Sequence, residues 1–249
     1  MFYRSYTFVS VHAMITSIKS AHDFPPVDQA LDEPNGLLCT GGNLEPETVL
    51  TAYSRGIFPW YSDDQPILWW SPDPRMVLFP DEFKISKSLG KTIRSHKFEI
   101  RFDSAFAAVI TACAEPRTLH SGTWILPEMQ AAYTRLHQIG FAHSAEAWRD
   151  GELVGGLYGI AMGRMFYGES MFARETDASK VAFAALVEKL VADGFRLIDC
   201  QQETRHLASF GARPIPRKEF TQRLKELITL NPDNSPTSYW TATHSPGHK

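Results

Sequence analysis

Three apolar segments separated by two tight turns lie near the middle of the chain and constrain the fold most strongly. They read AHSAEAWR, ELVGGLYGIAM and RMFYGESMF, and the turns fall at Asp150-Gly151 and at Gly163. Asp-Gly and other glycine-containing turns of this kind connect neighbouring antiparallel strands. The pattern therefore predicts a three-stranded antiparallel meander at the centre of the fold.

Helices and further strands flank this meander. The segment DASKVAFAALVEKLVADG is predicted as an amphipathic helix that ends at Gly194, and the buried-type strand FRLIDCQ follows it. Two shorter strands are predicted at residues 77–79 and 98–102, and the helix after the second strand is expected to begin with Asp103 or Ser104 as its cap. An antiparallel core with helices alternating late in the chain predicts an α+β fold with a mixed α/β sheet.

Residues 24–74 have a different character, because they are rich in proline, glycine and aromatic side chains. One helix is predicted here, in EPETVLTAYSRG, where Pro46 lies in the first turn and Gly56 follows the last. The change in composition predicts a small loop-rich N-terminal domain over residues 1–73 and a larger domain over residues 74–249.

The first twenty residues contain apolar positions but no compact apolar stretch followed by a small-residue cleavage site. Two interpretations stay open, a signal peptide and an upstream start codon. The pattern favours the second, in which Met14 is the initiator and residues 1–13 are dispensable.

Composition excludes several classes of protein. No apolar run in the 249 residues approaches the ~18–20 residues of a membrane span, and the net charge is only -3. The three cysteines are widely spaced and form no CxxC, which argues against a disulfide framework and a zinc site. Because a chain of this length can bury a sizeable core, we expect a globular protein. Because it has no apolar run of membrane-span length, we expect no membrane partner.

Familiar catalytic motifs are missing. The chain has nine histidines but no HExxH, no G-x-S-x-G and no Walker A sequence, and Cys200 is more typical of a small buried apolar residue than of a nucleophile. We therefore expect no metal and no cofactor. Gly155, Gly156 and Gly159 lie within a predicted strand, where they mark either a ligand contact or close packing.

Residues 84–101 hold six Lys or Arg and one acid, whereas residues 20–50 hold six acids and no Lys or Arg. A helix capped by Ser86 would carry basic and apolar residues on opposite faces. The basic residues are Lys87, Lys91 and Arg94, and the apolar ones are Leu89 and Ile93. The basic stripe suits a phosphate backbone, and the alternative is an ordinary solvated helix face.

Several aromatic residues occur beside glycine and proline, where they can stack on a base or close an apolar pocket. Trp69 and Trp70 are more typical of packing between the domains. Taken together, the motifs EPNGLLCTGGNL, YSRGIFPWYS, ILWWSPDPR, GTWI, ELVGGLYGIAMGRMFYGESMF, LIDCQ and HLASFGA resemble the bacterial leucyl/phenylalanyl-tRNA–protein transferase family. The resemblance runs from about residue 24 to residue 220, some four-fifths of the chain.

The resemblance implies a cytoplasmic, monomeric aminoacyltransferase whose larger domain is GNAT-like. Such enzymes move leucine or phenylalanine, and methionine less well, from aminoacyl-tRNA to the α-amino group of proteins that begin with Arg or Lys. The product enters the N-degron pathway of protein degradation. With RNA as the implied partner, the stripe of Lys87, Lys91 and Arg94 is expected to bind tRNA phosphates.

The resemblance also carries site residues over by motif. The residues that match those holding the terminal adenosine of the tRNA are Trp60 and Trp124. The residues that match the lining of the aminoacyl pocket are Phe166, Glu169 and Met171. The residues that match the reacting centre are Asp199 and Gln201.

The implied reaction is ester aminolysis, which needs no metal or nucleotide because the ester is already activated. We expect Asp199 to hold the incoming ammonium group or to accept its proton, directly or through Gln201. Glu169 competes with Asp199 for contacts with positive groups, and the sequence leaves that assignment open.

Two other functions are weighed against this one. An acetyl-CoA transferase of the GNAT type would need a Q/R-x-x-G-x-G/A turn for the pyrophosphate, and the chain contains none. A non-catalytic module that binds basic N-termini or tRNA ends would not need Asp199, Gln201, Glu169 and both tryptophans together.

Overall fold

The structure, a computed structural model, describes residues 15–115, 123–228 and 240. The expectations for residues 1–13 lie outside this part of the chain. The described residues form two sheets and seven α-helices, which confirms the mixed α/β fold class.

The smaller sheet belongs to the N-terminal part of the chain. Its order is β1-β2-β4-β3, with β1 parallel to β2 and the other neighbours antiparallel. The strands are β1 (Thr16–Ile18), β2 (Leu37–Gly41), β3 (Phe58–Pro59) and β4 (Leu68–Trp70), and helix α1 spans Pro46–Ser54. Helix α1 has its proline in the first turn, as the sequence predicts. Trp69 and Trp70 are buried, and their expected role in packing between the domains stays a prediction.

The larger sheet has seven strands in the order β11-β5-β10-β9-β8-β7-β6. Its strands are β5 (Arg75–Leu78), β6 (Glu99–Phe102), β7 (Ala142–Arg149), β8 (Glu152–Met162), β9 (Met165–Ala173), β10 (Leu197–Gln201) and β11 (Arg213–Ile215). Strands β7, β8 and β9 form the predicted antiparallel meander. Strand β10 is parallel to β9, so this sheet is mixed.

Helices cover both faces of the larger sheet. They are α2 (Lys87–Arg94), α3 (Phe106–Ala114), α4 (Pro127–Gln138), α5 (Ala178–Ala192), α6 (Arg205–Ser209) and α7 (Arg217–Ile228). Along β9, Met165 and Tyr167 enter one apolar cluster with α3, α4 and the small sheet, while Phe166 enters a second cluster with α5. The sheet is therefore the middle layer between two cores. No helix among the described residues is long and apolar enough to cross a membrane.

The predicted cap of helix α3 is wrong. The helix begins at Phe106, and neither Asp103 nor Ser104 caps it. The carboxylate of Glu146 on strand β7 instead accepts the N–H of Ala105 at 2.9 Å and the hydroxyl of Ser104. A residue distant in sequence thus accepts a backbone N–H at the start of the helix, where short-range patterns assign a neighbouring side chain as the cap.

The structure decides the role of the strand glycines in favour of packing. A Cβ on Gly155 would lie 2.6 Å from the Cβ of Ala178 and 2.9 Å from the backbone nitrogen of Ser179. A Cβ on Gly159 would lie 2.6 Å from the ring of Phe166. These glycines let helix α5 and the Phe166 ring approach strand β8 closely.

Candidate active site

A cleft of about 590 Å³ opens where strands β9 and β10 separate. The two strands pair only as far as Tyr167 and Asp199, and the residues that follow on each strand form opposite walls. Strand β3 and the residue after it, Trp60, contribute a third wall. The lining includes Phe58, Trp60, Trp124, Leu157, Tyr158, Glu169, Met171, Ile198, Cys200 and Gln201. Its size lies in the range of small-molecule sites.

Bulges in both strands place the polar residues of this cleft. Gly168 pairs with Gly159 and Ser170 pairs with Tyr158, so Glu169 has no partner on β8. Cys200 is skipped in the same way between β10 and β5, and Gln201 has a positive φ of 61°. A bulge re-aims the side chain that it leaves unpaired and commonly lies beside an active site.

Glu169 is half-buried at the centre of a hydrogen-bond network. Its Oε1 accepts the Tyr53 hydroxyl at 2.7 Å and the amide Nε2 of Gln201 at 3.0 Å. Its Oε2 accepts the Tyr133 hydroxyl at 3.0 Å. Burial raises the pKa of Glu169 to about 7, although the hydrogen bonds from the tyrosines act in the opposite direction. Glu169 is therefore a carboxyl group that exchanges a proton near neutral pH.

Asp199 lies behind this cleft, not on its surface. Its carboxylate is fully buried and faces Arg75, with Oδ1 at 2.8 Å from Nε and Oδ2 at 2.7 Å from Nη2. The backbone N–H of Gln201 donates to the same Oδ1 at 2.9 Å. The Asp199 carboxylate thus contacts Arg75 and the Gln201 backbone. From the sequence we expected it to contact the ammonium group of the substrate.

Sequence reasoning missed Arg75, although it belongs to the WWSPDPR motif. Its guanidinium lies 4.7 Å from the ring centroids of both Phe58 and Phe220, and Nη1 donates to the carbonyl of Gly56. The side chain is 1% exposed. An arginine that is buried needs an anionic partner. The position of Arg75 in a motif rich in tryptophan and proline is the sequence signal that could have indicated such a buried pair.

Both tryptophans carried over by motif line the cleft. Trp60 lies at one wall, with its carbonyl accepting the indole N–H of Trp70 at 2.6 Å. Trp124 lies on the segment that leads into helix α4. Residues distant from them in the chain, Met171 and Gln201 among them, complete the same cavity.

The remaining carried-over residues fall in two places. Met171 lines the cleft, but Phe166 is 1% exposed in the second core and does not contribute to the lining. Cys200 does line it, and burial raises the pKa of its thiol above the ordinary value. The described residues of the cleft therefore include one carboxyl group, Glu169, whose pKa is raised to about 7, and no thiolate nucleophile.

The basic helix α2 forms as predicted, away from this cleft. The Ser86 side chain accepts the N–H of Leu89 at 3.2 Å, and Leu89 is buried. The stripe residues Lys87, Lys91 and Arg94 are exposed, and within the described ranges none of them forms an ion pair. Their charges are available to a partner.

Comparison with known proteins identifies relatives over most of the chain. Residues 77–225 match the family described as leucyl/phenylalanyl-tRNA protein transferase, and residues 42–73 match its N-terminal domain. A leucyl/phenylalanyl-tRNA–protein transferase of Chromobacterium violaceum is 65% identical over 82% of this chain and 88% of its own. One of Nitrosospira multiformis is 60% identical over 86% of this chain and 93% of its own.

Similarity to solved structures is weaker. L-PGS from Bacillus licheniformis has a TM-score of 0.38 and 11% identity, over 74% of this chain and 70% of its own. The chain belongs to the leucyl/phenylalanyl-tRNA–protein transferase family and is an aminoacyltransferase.

Proposed function

We propose that this enzyme transfers leucine or phenylalanine, and methionine less well, from aminoacyl-tRNA to the α-amino group of proteins that begin with Arg or Lys. Transfer marks those proteins for the N-degron pathway. The observation that carries the proposal is one cleft that brings Trp60 and Trp124 together with Glu169 and Gln201. Because aminoacyl-tRNA is made in the cytoplasm, we propose that the enzyme acts there. We also propose that it acts as a monomer.

The donor end of the tRNA fits the apolar part of the cleft. Trp60 and Trp124 provide ring faces for the unpaired terminal adenine, and stacking of this kind is worth ~1–3 kcal/mol per base. Leu157, Ile198 and Met171 form a wall for the amino-acid side chain. A methionine wall deforms to accept leucine, phenylalanine or methionine, while apolar pockets discriminate by only ~1–3 kcal/mol per methylene.

The polar part of the cleft handles the attacking amine. An α-amino group has a pKa of ~8, so about a tenth of it is neutral and nucleophilic at pH 7. Holding the amine against the ester in attack geometry is worth up to ~7–11 kcal/mol. Glu169 faces the cleft and accepts the ammonium proton, and Gln201 orients the reacting groups through its side-chain amide.

Asp199 acts in this proposal as a positioning residue. Paired with Arg75, it holds the backbone N–H of Gln201 in the bulge and so directs the Gln201 amide towards Glu169. Of the two carboxylates that the sequence left in competition, Glu169 is therefore the group placed to meet a positive substrate group.

The body of the tRNA is assigned to helix α2. Lys87, Lys91 and Arg94 would meet phosphates without reading sequence, because phosphate contacts position a nucleic acid but do not specify its bases. The solvated-face alternative predicts no effect of these charges on tRNA binding.

The acetyl-CoA alternative requires a turn that binds the diphosphate of the cofactor. The sequence contains no Q/R-x-x-G-x-G/A stretch that would form such a turn.

The test mixes the purified protein with radiolabelled Phe-tRNA or Leu-tRNA and a protein that begins with Arg. We expect label in the acceptor, and no label in an otherwise identical acceptor that begins with Gly. A Glu169→Gln variant should lose most of the transfer. Absence of label with tRNA shown to be charged would overturn the proposal, and equal labelling of both acceptors would overturn the assignment of basic N-termini.

A further inference from the structure

Three oxygen-bearing side chains close a ring at the base of the cleft. Tyr53 comes from helix α1, Tyr133 from helix α4 and Glu169 from the bulge in strand β9. The two hydroxyl oxygens are 2.6 Å apart, Tyr53 lies 2.7 Å from Oε1 of Glu169, and Tyr133 lies 3.0 Å from Oε2. Each member therefore contacts both others.

A count of hydrogens shows what this geometry requires. Three oxygen–oxygen contacts at hydrogen-bond distance need three hydrogens, but the two tyrosine hydroxyls carry only two. If Glu169 were ionised, both hydroxyls would donate to its carboxylate, and the 2.6 Å contact between the tyrosines would contain no hydrogen. A protonated Glu169 supplies the third, because its O–H donates to Tyr133, Tyr133 donates to Tyr53 and Tyr53 donates to Oε1.

We infer that Tyr53, Tyr133 and Glu169 form a proton-sharing ring that accepts the proton released by the acceptor's ammonium group during aminoacyl transfer. We call the ring closed when Glu169 is protonated, so that the three side chains share three protons. We call it open when Glu169 is ionised, so that they share two. The open ring is the form that can take a proton, and its carboxylate is held by two tyrosine donors. This inference rests on the proposed function for its catalytic part, while the ring itself rests on the distances alone.

Proton transfer from the acceptor to the ring begins the reaction. The ammonium group of the acceptor gives one proton to the open ring, and its nitrogen lone pair then forms the C–N bond with the ester carbonyl. As the C–O bond to the ribose breaks, a second proton from the nitrogen passes to the leaving ribose oxygen. The ring afterwards releases its proton to water, so one proton is set free for each amide bond formed.

The groups around the ring support this role. Desolvation raises the pKa values of Tyr53 and Tyr133 well above the ordinary value, so both stay protonated donors. Asp199 raises the pKa of Glu169 and Arg75 lowers it, and these two lie as a pair behind the cleft. Tyr158, whose hydroxyl has no hydrogen-bond partner among the described residues, faces the ring from strand β8, and Cys200 and His206 face it across the cleft.

The first test looks at the ring without substrate. Infrared difference spectra of the wild-type enzyme across the neutral pH range should show the carbonyl stretch of a protonated carboxyl group that disappears as pH rises through about 7. The band should be missing in Glu169→Gln. A spectrum in which wild type and Glu169→Gln titrate alike would overturn the ring, whatever the enzyme's activity.

The second test measures single-turnover transfer against pH at saturating acceptor. Because only the open ring accepts a proton, the rate should rise with pH through the pKa of the ring. Tyr53→Phe and Tyr133→Phe each remove a donor that stabilises the ionised carboxylate, so each should move this limb upward by about one pH unit or more. Their carboxyl bands should move by the same amount.

Tyr61→Phe is the matched control, because the Tyr61 hydroxyl also donates to a carboxylate, Glu128, but lies outside the cleft lining. Its pH profile should equal that of the wild type. If Tyr53→Phe and Tyr133→Phe also keep the wild-type profile, the catalytic use of the ring is wrong. If the wild-type enzyme transfers nothing, the proposed function fails, and the infrared titration still decides whether the ring exists.

Discussion

The carboxylate of Asp199 and the guanidinium of Arg75 form a buried bidentate pair that joins residues 124 positions apart in the chain. Arg75 begins the strand that follows the small sheet, and Asp199 precedes the bulge that turns Gln201 into the cleft. The pair therefore connects the proline-rich motif to the geometry of the candidate active site.

Substitution of one member of this pair should destabilise the protein strongly. Asp199→Asn leaves the Arg75 guanidinium buried without a counter-charge, and loss of one partner of a buried pair costs ~3–5 kcal/mol. Urea unfolding should show that loss in the free energy of unfolding. The double variant Arg75→Met/Asp199→Leu should recover part of it, and a double variant as unstable as the sum of both singles would contradict this account.

The same substitution separates positioning from proton transfer. Asp199→Asn should lower the single-turnover rate, because the backbone N–H of Gln201 is then held by a neutral amide instead of a carboxylate. Because Asp199 raises the pKa of Glu169 and Arg75 lowers it, the pH at which the rate rises should move downward in Asp199→Asn. Loss of this pH dependence in Asp199→Asn, with the dependence retained in Glu169→Gln, would return the proton-accepting role to Asp199.

Removal of either tryptophan ring should weaken donor binding. Trp60→Ala and Trp124→Ala each remove a ring on which we propose that the terminal adenine stacks. The KM for aminoacyl-tRNA should therefore rise roughly 5- to 150-fold, the equivalent of ~1–3 kcal/mol. The phenylalanine variants should keep most of the affinity. Trp148→Phe serves as a control, since Trp148 lies on β7 outside the cleft lining. An unchanged KM in both alanine variants would exclude stacking at these rings.

Charge reversal on helix α2 should act on tRNA but not on chemistry. Lys87→Glu/Lys91→Glu should raise the KM for aminoacyl-tRNA and reduce the slope of log KM against log salt by about one unit for each phosphate that the helix no longer neutralises. The rate at saturating tRNA should hold. Lys19→Glu, another exposed charge reversal, should change neither quantity. If the double variant and Lys19→Glu both match the wild type, the stripe is only a solvated surface.

Trp240 packs against residues of the larger domain. Its indole N–H donates to Asp103 at 2.6 Å, and its ring stacks on His143 at a centroid distance of 4.1 Å. Because a hydrogen bond to a charged group contributes ~1.5–3 kcal/mol, Trp240→Ala should lower the free energy of unfolding by about that amount or more. Trp240→Phe should lose less, as its ring can still stack.

Urea unfolding measures this effect, with Ile85→Ala as the control, because Ile85 is 51% exposed and its truncation should change stability by less than about 0.5 kcal/mol. Equal stability of Trp240→Ala and wild type would mean that the contact with Asp103 does not stabilise the protein.

Local sequence patterns predicted those elements that are stabilised mainly by contacts between residues close together in the chain. Asp-Gly and glycine turns predicted the meander, and periodicity predicted helix α2 with its Ser86 cap and basic stripe. Motif resemblance indicated Trp60, Trp124, Glu169, Met171 and Gln201, and the structure brings these five to one cleft. These inferences needed no knowledge of how distant segments meet.

Contacts between distant segments needed the tertiary structure. Sequence periodicity does not indicate that Glu146 accepts a hydrogen bond from the start of helix α3, or that Phe166 lies in the core. It also does not indicate that Tyr53 and Tyr133 form hydrogen bonds with Glu169. A bulge leaves one residue unpaired and changes the direction of its side chain. Which residue is left unpaired depends on the register of pairing with the partner strand. By itself the sequence determined most of the elements and the family, and the motif resemblance indicated candidate site residues. Only the packing of strands and helices decided that Asp199 meets Arg75 and that Glu169 faces the cleft.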